Sequence, residues 1–366
     1  MPQTENMRVI LAGGGTGGHV IPAIAIAAEL QRLYDAQILF IGSGAGVESR
    51  MVPAAGFELR LIKVGKLKNV SLATRIKTLT ALPRVVIYCI RLLREFRPDV
   101  VIGVGGYASG PGMLAAVLTR TPTLAFEPNL VPGFANRVVA PMVSAAAVQF
   151  ADTAKAFRHA EVTGVPVRRE FFQLQPRAPW SASGARPTVL VFGGSQGASA
   201  VNQAFLQAAP SIVSNAPGLR IIHQTGARDH EAIAAGYANL GIDAEVSAFI
   251  DPLSAAFERA DLLICRSGAS TVAEVAAAGK PAVFIPFPRA ADDHQQRNAE
   301  AFVSQGAAEM MIESGLTPAR LAGLVTELLR SSDRLAAMAA AARKLAHPQA
   351  GEKIAGMAAQ LASKKT

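Results

Sequence analysis

The sequence predicts an α/β chain of two doubly wound, Rossmann-like domains facing one another across a cleft. Three observations carry this expectation. Strand-like and helix-like segments alternate from the N-terminus, as in a parallel sheet with crossover helices. An apolar run that turns through glycine into a helix occurs twice, after Leu11 and after Phe192. A second matching pair of strands, Asp99 to Ile102 and Asp261 to Ile264, takes the same place in each half. With 366 residues, 50% hydrophobic and 17% charged, the chain exceeds what one core usually holds.

Arg8 to Ala12 reads as the first strand, Val20 to Leu33 as a helix, Gln37 to Ile41 as a strand and Val47 to Ala55 as a helix. Asp99 to Ile102 then runs into Gly105-Gly106-Tyr107, a helix, and the strand Thr123 to Phe126. The join falls near Gly164-Val165-Pro166, giving a first domain over 1–164 and a second over 165–346, with a loose polar stretch at Pro176 to Pro187. In the second half Pro187 to Phe192 leads through Gly193-Gly194-Ser195-Gln196-Gly197-Ala198 to a helix from about Val201. Asp261 to Ile264 leads through Ser267-Gly268-Ala269 to another helix and the strand Ala282 to Ile285. The alanine-rich end, Leu335 to Leu345 and Ile354 to Leu361, is helical and broken at His347-Pro348. The segment 347–366 is expected to pack back on the first domain, although no periodicity dictates where.

Gly13 to Gly18 followed by His19 is the most informative loop. Glycine amides at a strand-to-helix turn suit a phosphate or another anion. A dinucleotide fold would place an acid at the end of the second strand, where this chain has Phe40-Ile41-Gly42-Ser43-Gly44. A nucleotide-triphosphatase loop would end in Gly-Lys-Ser/Thr, where this chain has histidine. Read alone, His19 serves equally as a helix-end hydrogen-bonding group or as a general base that removes a hydroxyl proton. The cysteines, Cys89 and Cys265, lie in apolar runs and read as buried thiols of a reducing compartment. Neither an export signal nor a membrane span is expected. The balance of 36 basic against 27 acidic residues, net +9, favours polyanionic partners. With 6% aromatic residues, the interleaved stacking side chains of a nucleic-acid binder are missing, and no nucleic acid is expected.

Several segments together resemble the MurG family of UDP-N-acetylglucosamine transferases. They are Gly14 to His19, Gly103 to Pro111 (GVGGYASGP), Glu127 to Asn129, Pro132-Gly133 with Asn136-Arg137, Gly193 to Ala198 (GGSQGA), Cys265 to Ala269 (CRSGA), Glu274, and Asp292 to Asn298 (DDHQQRN). The resemblance spans nearly the whole chain and implies the two-domain GT-B fold. It implies transfer of GlcNAc with inversion from UDP-GlcNAc to the C4 hydroxyl of MurNAc in undecaprenyl-pyrophosphoryl-MurNAc-pentapeptide, lipid I to lipid II. For the donor it implies Ser195 on the diphosphate, Arg168 near the nucleotide, the backbone of Ile250 on uracil, and Glu274 on the ribose hydroxyls. Ala269, Ser270, Thr271 and Val272 would lie near the phosphates, and Gln295, Gln296 and Asn129 near the sugar. Thr16, Gly17 and Gly18 join the donor set, while Gly14, Gly15, Gly105, Gly106 and Ser109 would hold the acceptor pyrophosphate. His19 is the candidate base, Glu127 its rival or an orienting acid, and Tyr107 a ligand-touching aromatic.

No metal or other cofactor is expected, since an Asp-x-Asp site is lacking. Asp292, Asp293 and His294 are consecutive and read better as a surface loop than as ligands of one ion. Two departures from the family pattern stand out: Pro128, where Gln is common, removes a backbone donor, and Val165 replaces an Asn that braces the hinge. From Lys63 to Arg97, Lys66, Lys68, Arg75, Lys77, Arg84, Arg91, Arg94 and Arg97 alternate with Ile76, Leu79, Leu82, Val86 and Ile90. This suits peripheral contact with an anionic membrane on its cytoplasmic face, and the resemblance leaves room for association with other cell-wall enzymes. A related GT-B transferase acting on another glycolipid or small acceptor is the alternative reading.

Overall fold

The computed structural model describes residues 6–44, 46–65, 71–175, 186–194, 197–290 and 293–364, with backbone alone at 72–77 and 79. The chain divides into two compact units, Met1–Val167 with His347–Thr366, and Arg168–Ala346. Unit 1 carries a seven-stranded parallel sheet in the order β3-β2-β1-β4-β5-β6-β7. Its strands are β1 Arg8–Gly13, β2 Gln37–Ser43, β3 Glu58–Ile62, β4 Val100–Gly105, β5 Thr123–Glu127, β6 Ala145–Val148 and β7 Ala160–Val162. Unit 2 carries a six-stranded parallel sheet in the order β10-β9-β8-β11-β12-β13. These strands are β8 Thr188–Phe192, β9 Arg220–Gln224, β10 Ala244–Ser247, β11 Leu262–Cys265, β12 Ala282–Phe284 and β13 Ala308–Met310.

The central strands are continuous apolar runs because both sheet faces are covered, as parallel sheets require. Val9, Ile10, Leu11 and Ala12 are wholly buried, as are Val189, Leu190 and Val191. The strand orders place β1 beside β4 and β8 beside β11, and each pair is where the winding reverses. Loops leaving the carboxyl ends of such a pair diverge and open a crevice, the general ligand position of doubly wound sheets. The likeness of the halves extends to one anchor. Asp99 Oδ2 accepts the Arg8 N–H at 2.8 Å, and Asp261 Oδ2 accepts the Thr188 N–H at 2.8 Å. The same side chain in each unit thus ties the foot of the first strand to the foot of the fourth.

The helix Gly17–Tyr34 begins three residues before its apolar pattern, since glycine carries no periodicity. The helix Ala350–Ser363 packs on it, with Arg32 Nη2 to Glu352 Oε1 at 3.0 Å. Glu29 lies close over Gly351, where a Cβ would come 2.9 Å from its Cγ. Among the described residues no helix is long and apolar enough to cross a membrane.

Candidate active site

In unit 1 the loops after β1 and β4 interlock through their glycines. Gly13, Gly14 and Gly15 take φ of 149°, 143° and 98°, a region that L side chains rarely adopt. The Gly14 N–H donates to the Gly105 carbonyl at 3.2 Å. A Cβ on Gly106 would overlap the Gly14 carbonyl, and one on Gly105 would lie 2.8 Å from the His19 ring. His19, in the first turn of the helix Gly17–Tyr34, therefore rests its imidazole directly on the Gly105 backbone. Thr16 caps that helix from extended backbone and is exposed. The N–H groups without an intrahelical acceptor are those that open the helix, at Gly17 and Gly18.

Two residues assigned to the acceptor pyrophosphate have their amides engaged within the protein. Gly14 N–H is on Gly105, and Gly15 N–H donates to Glu48 Oε2 at 2.7 Å. Ser109 is also turned inward. Its hydroxyl is buried, on the side of the helix Ser109–Leu118 that faces Gly103. Tyr107 is 41% exposed, where a ligand can reach it.

Glu127 ends β5 and is 1% exposed. Its Oε1 accepts the Asn129 N–H at 3.0 Å and Asn129 Nδ2 at 3.1 Å; its Oε2 accepts the Gly133 N–H at 2.8 Å and Asn136 Nδ2 at 2.9 Å. Burial holds its pKa above the ordinary carboxylate value despite these donors from Asn136, Gly133 and Asn129. Four N–H groups take up the four lone-pair sites of a carboxylate. Glu127 thereby fixes the Pro128–Gly133 loop, with both carboxylate oxygens engaged inside the protein. Pro128 fits because the bonds to Glu127 come from Asn129 and Gly133 and need no N–H at 128. Val165 is 2% exposed and packs as a core residue.

In unit 2 the helix Ala269–Ala278 starts at the carboxyl end of β11 with Gly268 as its cap. Ala269, Ser270 and Thr271 supply its opening amides, whereas the Val272 N–H is already bonded to Gly268 O at 3.0 Å. Glu274 lies one turn in and is buried at 9% exposure. Burial pushes its carboxyl up to about 7, Arg168 opposing and Glu170 adding to the rise. Arg168 Nη2 stands 3.8 Å from Glu274 Oε1 and Nη1 3.4 Å from Glu170 Oε1, while the guanidinium lies over the Phe171 ring. Gln295 Oε1 accepts the Phe287 N–H at 3.0 Å, and Gln296 Nε2 donates to Glu300 Oε1 at 2.9 Å along its own helix, His294–Val303. The Ile250 N–H donates to Gln224 Oε1 at 2.9 Å. Ser195 and Asp292 lie outside the described residues.

Residues 9–148 match the glycosyltransferase family 28 N-terminal domain, and residues 188–354 the glycosyltransferase family 28 C-terminal domain. The chain belongs to glycosyltransferase family 28. Two relatives carry the name UDP-N-acetylglucosamine–N-acetylmuramyl-(pentapeptide) pyrophosphoryl-undecaprenol N-acetylglucosamine transferase. That of Anaeromyxobacter dehalogenans strain 2CP-1 is 44% identical over 362 residues, 98% of this chain and 94% of the relative. That of Myxococcus xanthus strain DK1622 is 43% identical over 359 residues, 97% and 93% respectively. Among solved structures, MurG of Acinetobacter baumannii superposes with a TM-score of 0.80 at 32% identity, covering 97% of this chain and 99% of that one. Within family 28 the chain groups with the MurG transferases, and its fold is GT-B.

Three polar groups of this family 28 chain escape a reading of the sequence. Glu48 holds the first glycine loop from 33 residues away. Gln224, 2% exposed, bridges the loops at Gly194 and Ile250, giving its Nε2 hydrogen to Gly194 O at 3.0 Å and accepting from the Ile250 N–H. Behind it, His223 Nε2 donates to Asn202 Oδ1 at 3.1 Å, so Nδ1 accepts from the Tyr237 hydroxyl at 2.9 Å. Burial lowers the His223 pKa to about 3, so the ring is neutral and braces the helix Ser199–Asn215 that follows the second glycine loop. The one signal available was position: Gln224 ends β9 beside the Gly193–Ala198 loop, and Glu48 closes a run of Gly, Ser and Ala after β2. Among the described residues no group of three or more His, Cys, Asp and Glu side chains is disposed to hold a metal ion.

Proposed function

We propose that this chain is the inverting transferase that moves GlcNAc from UDP-GlcNAc to the MurNAc C4 hydroxyl of lipid I, yielding lipid II and UDP. The observation that carries it is 44% identity across 98% of the chain with a transferase of that name. The site chemistry agrees. His19 Nδ1 or Nε2 takes the hydroxyl proton, the oxygen attacks the anomeric carbon from the face opposite UDP, and the bond to the UDP oxygen breaks with its electron pair leaving on UDP. Arg168 and the amides of Ala269, Ser270 and Thr271 meet the diphosphate, with Ser195 assigned there by its motif. Each hydrogen bond to a charged group is worth roughly 1.5 to 3 kcal/mol, against about 0.3 to 1 for the helix dipole, so direct contacts dominate. Glu274 takes the ribose hydroxyls, Ile250 O the uracil, and Gln295, Gln296 and Asn129 the sugar. Thr16, Gly17 and Gly18 join the donor set, and Gly105, Gly106 and Tyr107 face the acceptor in this reading. The reaction uses no metal.

The acceptor is a lipid, so we place the enzyme on the cytoplasmic face of the membrane as a peripheral protein. The helix Leu72–Phe96 supports this: exposed Arg84, Arg91 and Arg94 share it with Ile87 at 51% exposure and Tyr88 at 42%. Residues 84, 87, 88 and 91 are spaced to fall on one helical face. Lys66 and Lys68, and the side chains of Arg75, Lys77, Ile76 and Leu79, lie outside the described residues. The deciding experiment is transfer of labelled GlcNAc from UDP-GlcNAc to a lipid I analogue, with UDP-glucose and a plain glycolipid as competitors. Turnover on the lipid I analogue alone supports the proposal. Turnover on the plain glycolipid alone overturns it in favour of a transferase for another acceptor.

A further inference from the structure

Glu48 is 1% exposed, opens the helix Glu48–Ala54 and sends its carboxylate back into the first glycine loop. Oε2 accepts the Gly15 N–H at 2.7 Å; Oε1 accepts the Ser43 N–H at 2.9 Å and the Ser43 hydroxyl at 2.7 Å. Three glycines surround it. A Cβ on Gly14 would lie 2.5 Å from Glu48 Cδ, one on Gly42 would lie 2.7 Å from its Cγ, and one on Gly46 would overlap Oε2. Burial alone would raise the carboxyl pKa, but the hydrogen bonds from Gly15, Ser43 and its own backbone together hold it below the usual carboxylate range. The group is ionised, and no arginine or lysine pairs with it among the described residues.

We propose that Glu48 is the resident anion of the Gly13–Gly18 loop, a positioning residue that fills the seat a nucleotide-binding loop offers to phosphate and thereby holds the helix bearing His19. Two consequences follow from charge and geometry. The acceptor's pyrophosphate is kept off Gly14 and Gly15, because their amides are engaged and a buried carboxylate faces the same spot. The loop acts instead as a mount: Gly15 precedes Thr16 and Gly17, so a fixed Gly15 fixes the first turn and the imidazole seated on Gly105.

The kinetic part of the test rests on the proposed function; the spectroscopic part does not. With ¹⁵N-glycine labelling, the Gly14 and Gly15 amide resonances of the ligand-free wild-type chain should not move on adding millimolar inorganic pyrophosphate. In Glu48→Ala, where the seat is vacated, Gly15 should shift. Movement of Gly15 in the wild type overturns the proposal whatever the acceptor. In turnover, Glu48→Gln should lower kcat at least about tenfold with KM for UDP-GlcNAc within about twofold. Ser43→Ala keeps both backbone donors and should lower kcat less, with an unchanged thermal midpoint, which guards against a Glu48 variant that fails to fold. Wild-type kcat in Glu48→Gln, or equal losses in kcat and donor affinity, overturns it.

Discussion

His19 owes its place to the absence of a side chain at Gly105, and its replacement by alanine should cost turnover without moving that backbone. A positioned base contributes roughly 10² to 10⁴ in rate, so His19→Ala should lower kcat by about that factor, measured with saturating UDP-GlcNAc. Retained turnover would remove the base assignment. Glu274 invites a second measurement. A carboxyl held up to about 7 by burial is half protonated near neutrality, and for the proposed ribose contact the ionised form is the stronger acceptor of two hydroxyls. UDP-GlcNAc affinity, followed by calorimetry from pH 5.5 to 8.5, should weaken as pH falls below 7. Glu274→Gln should weaken binding at pH 8 by about tenfold and flatten the profile. In the ligand-free protein the sign is opposite. The folded state keeps this proton up to about pH 7, whereas a solvated carboxyl releases it near 4.5. The associated stability is complete below pH 4.5 and is lost as pH rises through 7, so thermal midpoints of wild type and Glu274→Gln should diverge across that window.

At the scale of elements, the strand-to-helix turns are what the sequence made legible, and the reason is physical. An apolar run covered on both faces marks a buried strand and the glycines beyond it mark the turn, so β1, β4, β8 and β11 were readable at Leu11, Ile102, Phe192 and Ile264, although β1 runs on to Gly13 and β4 through Gly103 to Gly105. Helix starts were less so: Gly17–Tyr34 opens before Val20, and Ser199–Asn215 before Val201, because capping glycine and serine carry no apolar period. Contacts between distant segments were not legible at all. Nothing near Glu48 announces Gly15, and the saturation of Glu127 by Asn129, Gly133 and Asn136 depends on how a loop folds back. A pair of glycines separates strain from site geometry. Gly56 has φ +83° with open space where a Cβ would sit, and Gly105 has φ +86° with the His19 ring there. Gly56→Ala should cost about 1 to 2 kcal/mol of stability and leave turnover intact, whereas Gly105→Ala should also depress kcat by displacing the imidazole. Chemical denaturation and steady-state assays on the two variants check this.

At the scale of the whole molecule, net charge and lipid acceptor converge on one expectation. Each cation near an anionic leaflet contributes about 1 kcal/mol, so co-sedimentation with anionic vesicles should be strong at low salt and weak at high salt. Changing Arg84, Arg91 and Arg94 to glutamine should weaken it while sparing turnover on a short-chain acceptor. Turnover should also persist in excess EDTA; its loss, restored by a divalent ion, would bring a metal into the donor site. The family 28 C-terminal match runs to residue 354, beyond the Arg168–Ala346 unit and into residues that belong to unit 1. The return of the chain at His347 has a consequence in time. On the ribosome, the Gly17–Tyr34 helix is made early, but the helix that covers it, Ala350–Ser363, is made only after all of Arg168–Ala346. The wholly buried Ile354, Ala355 and Ala358 follow that unit in the chain, so the segment bearing His19 waits for all of Arg168–Ala346 to be translated before its back is sealed.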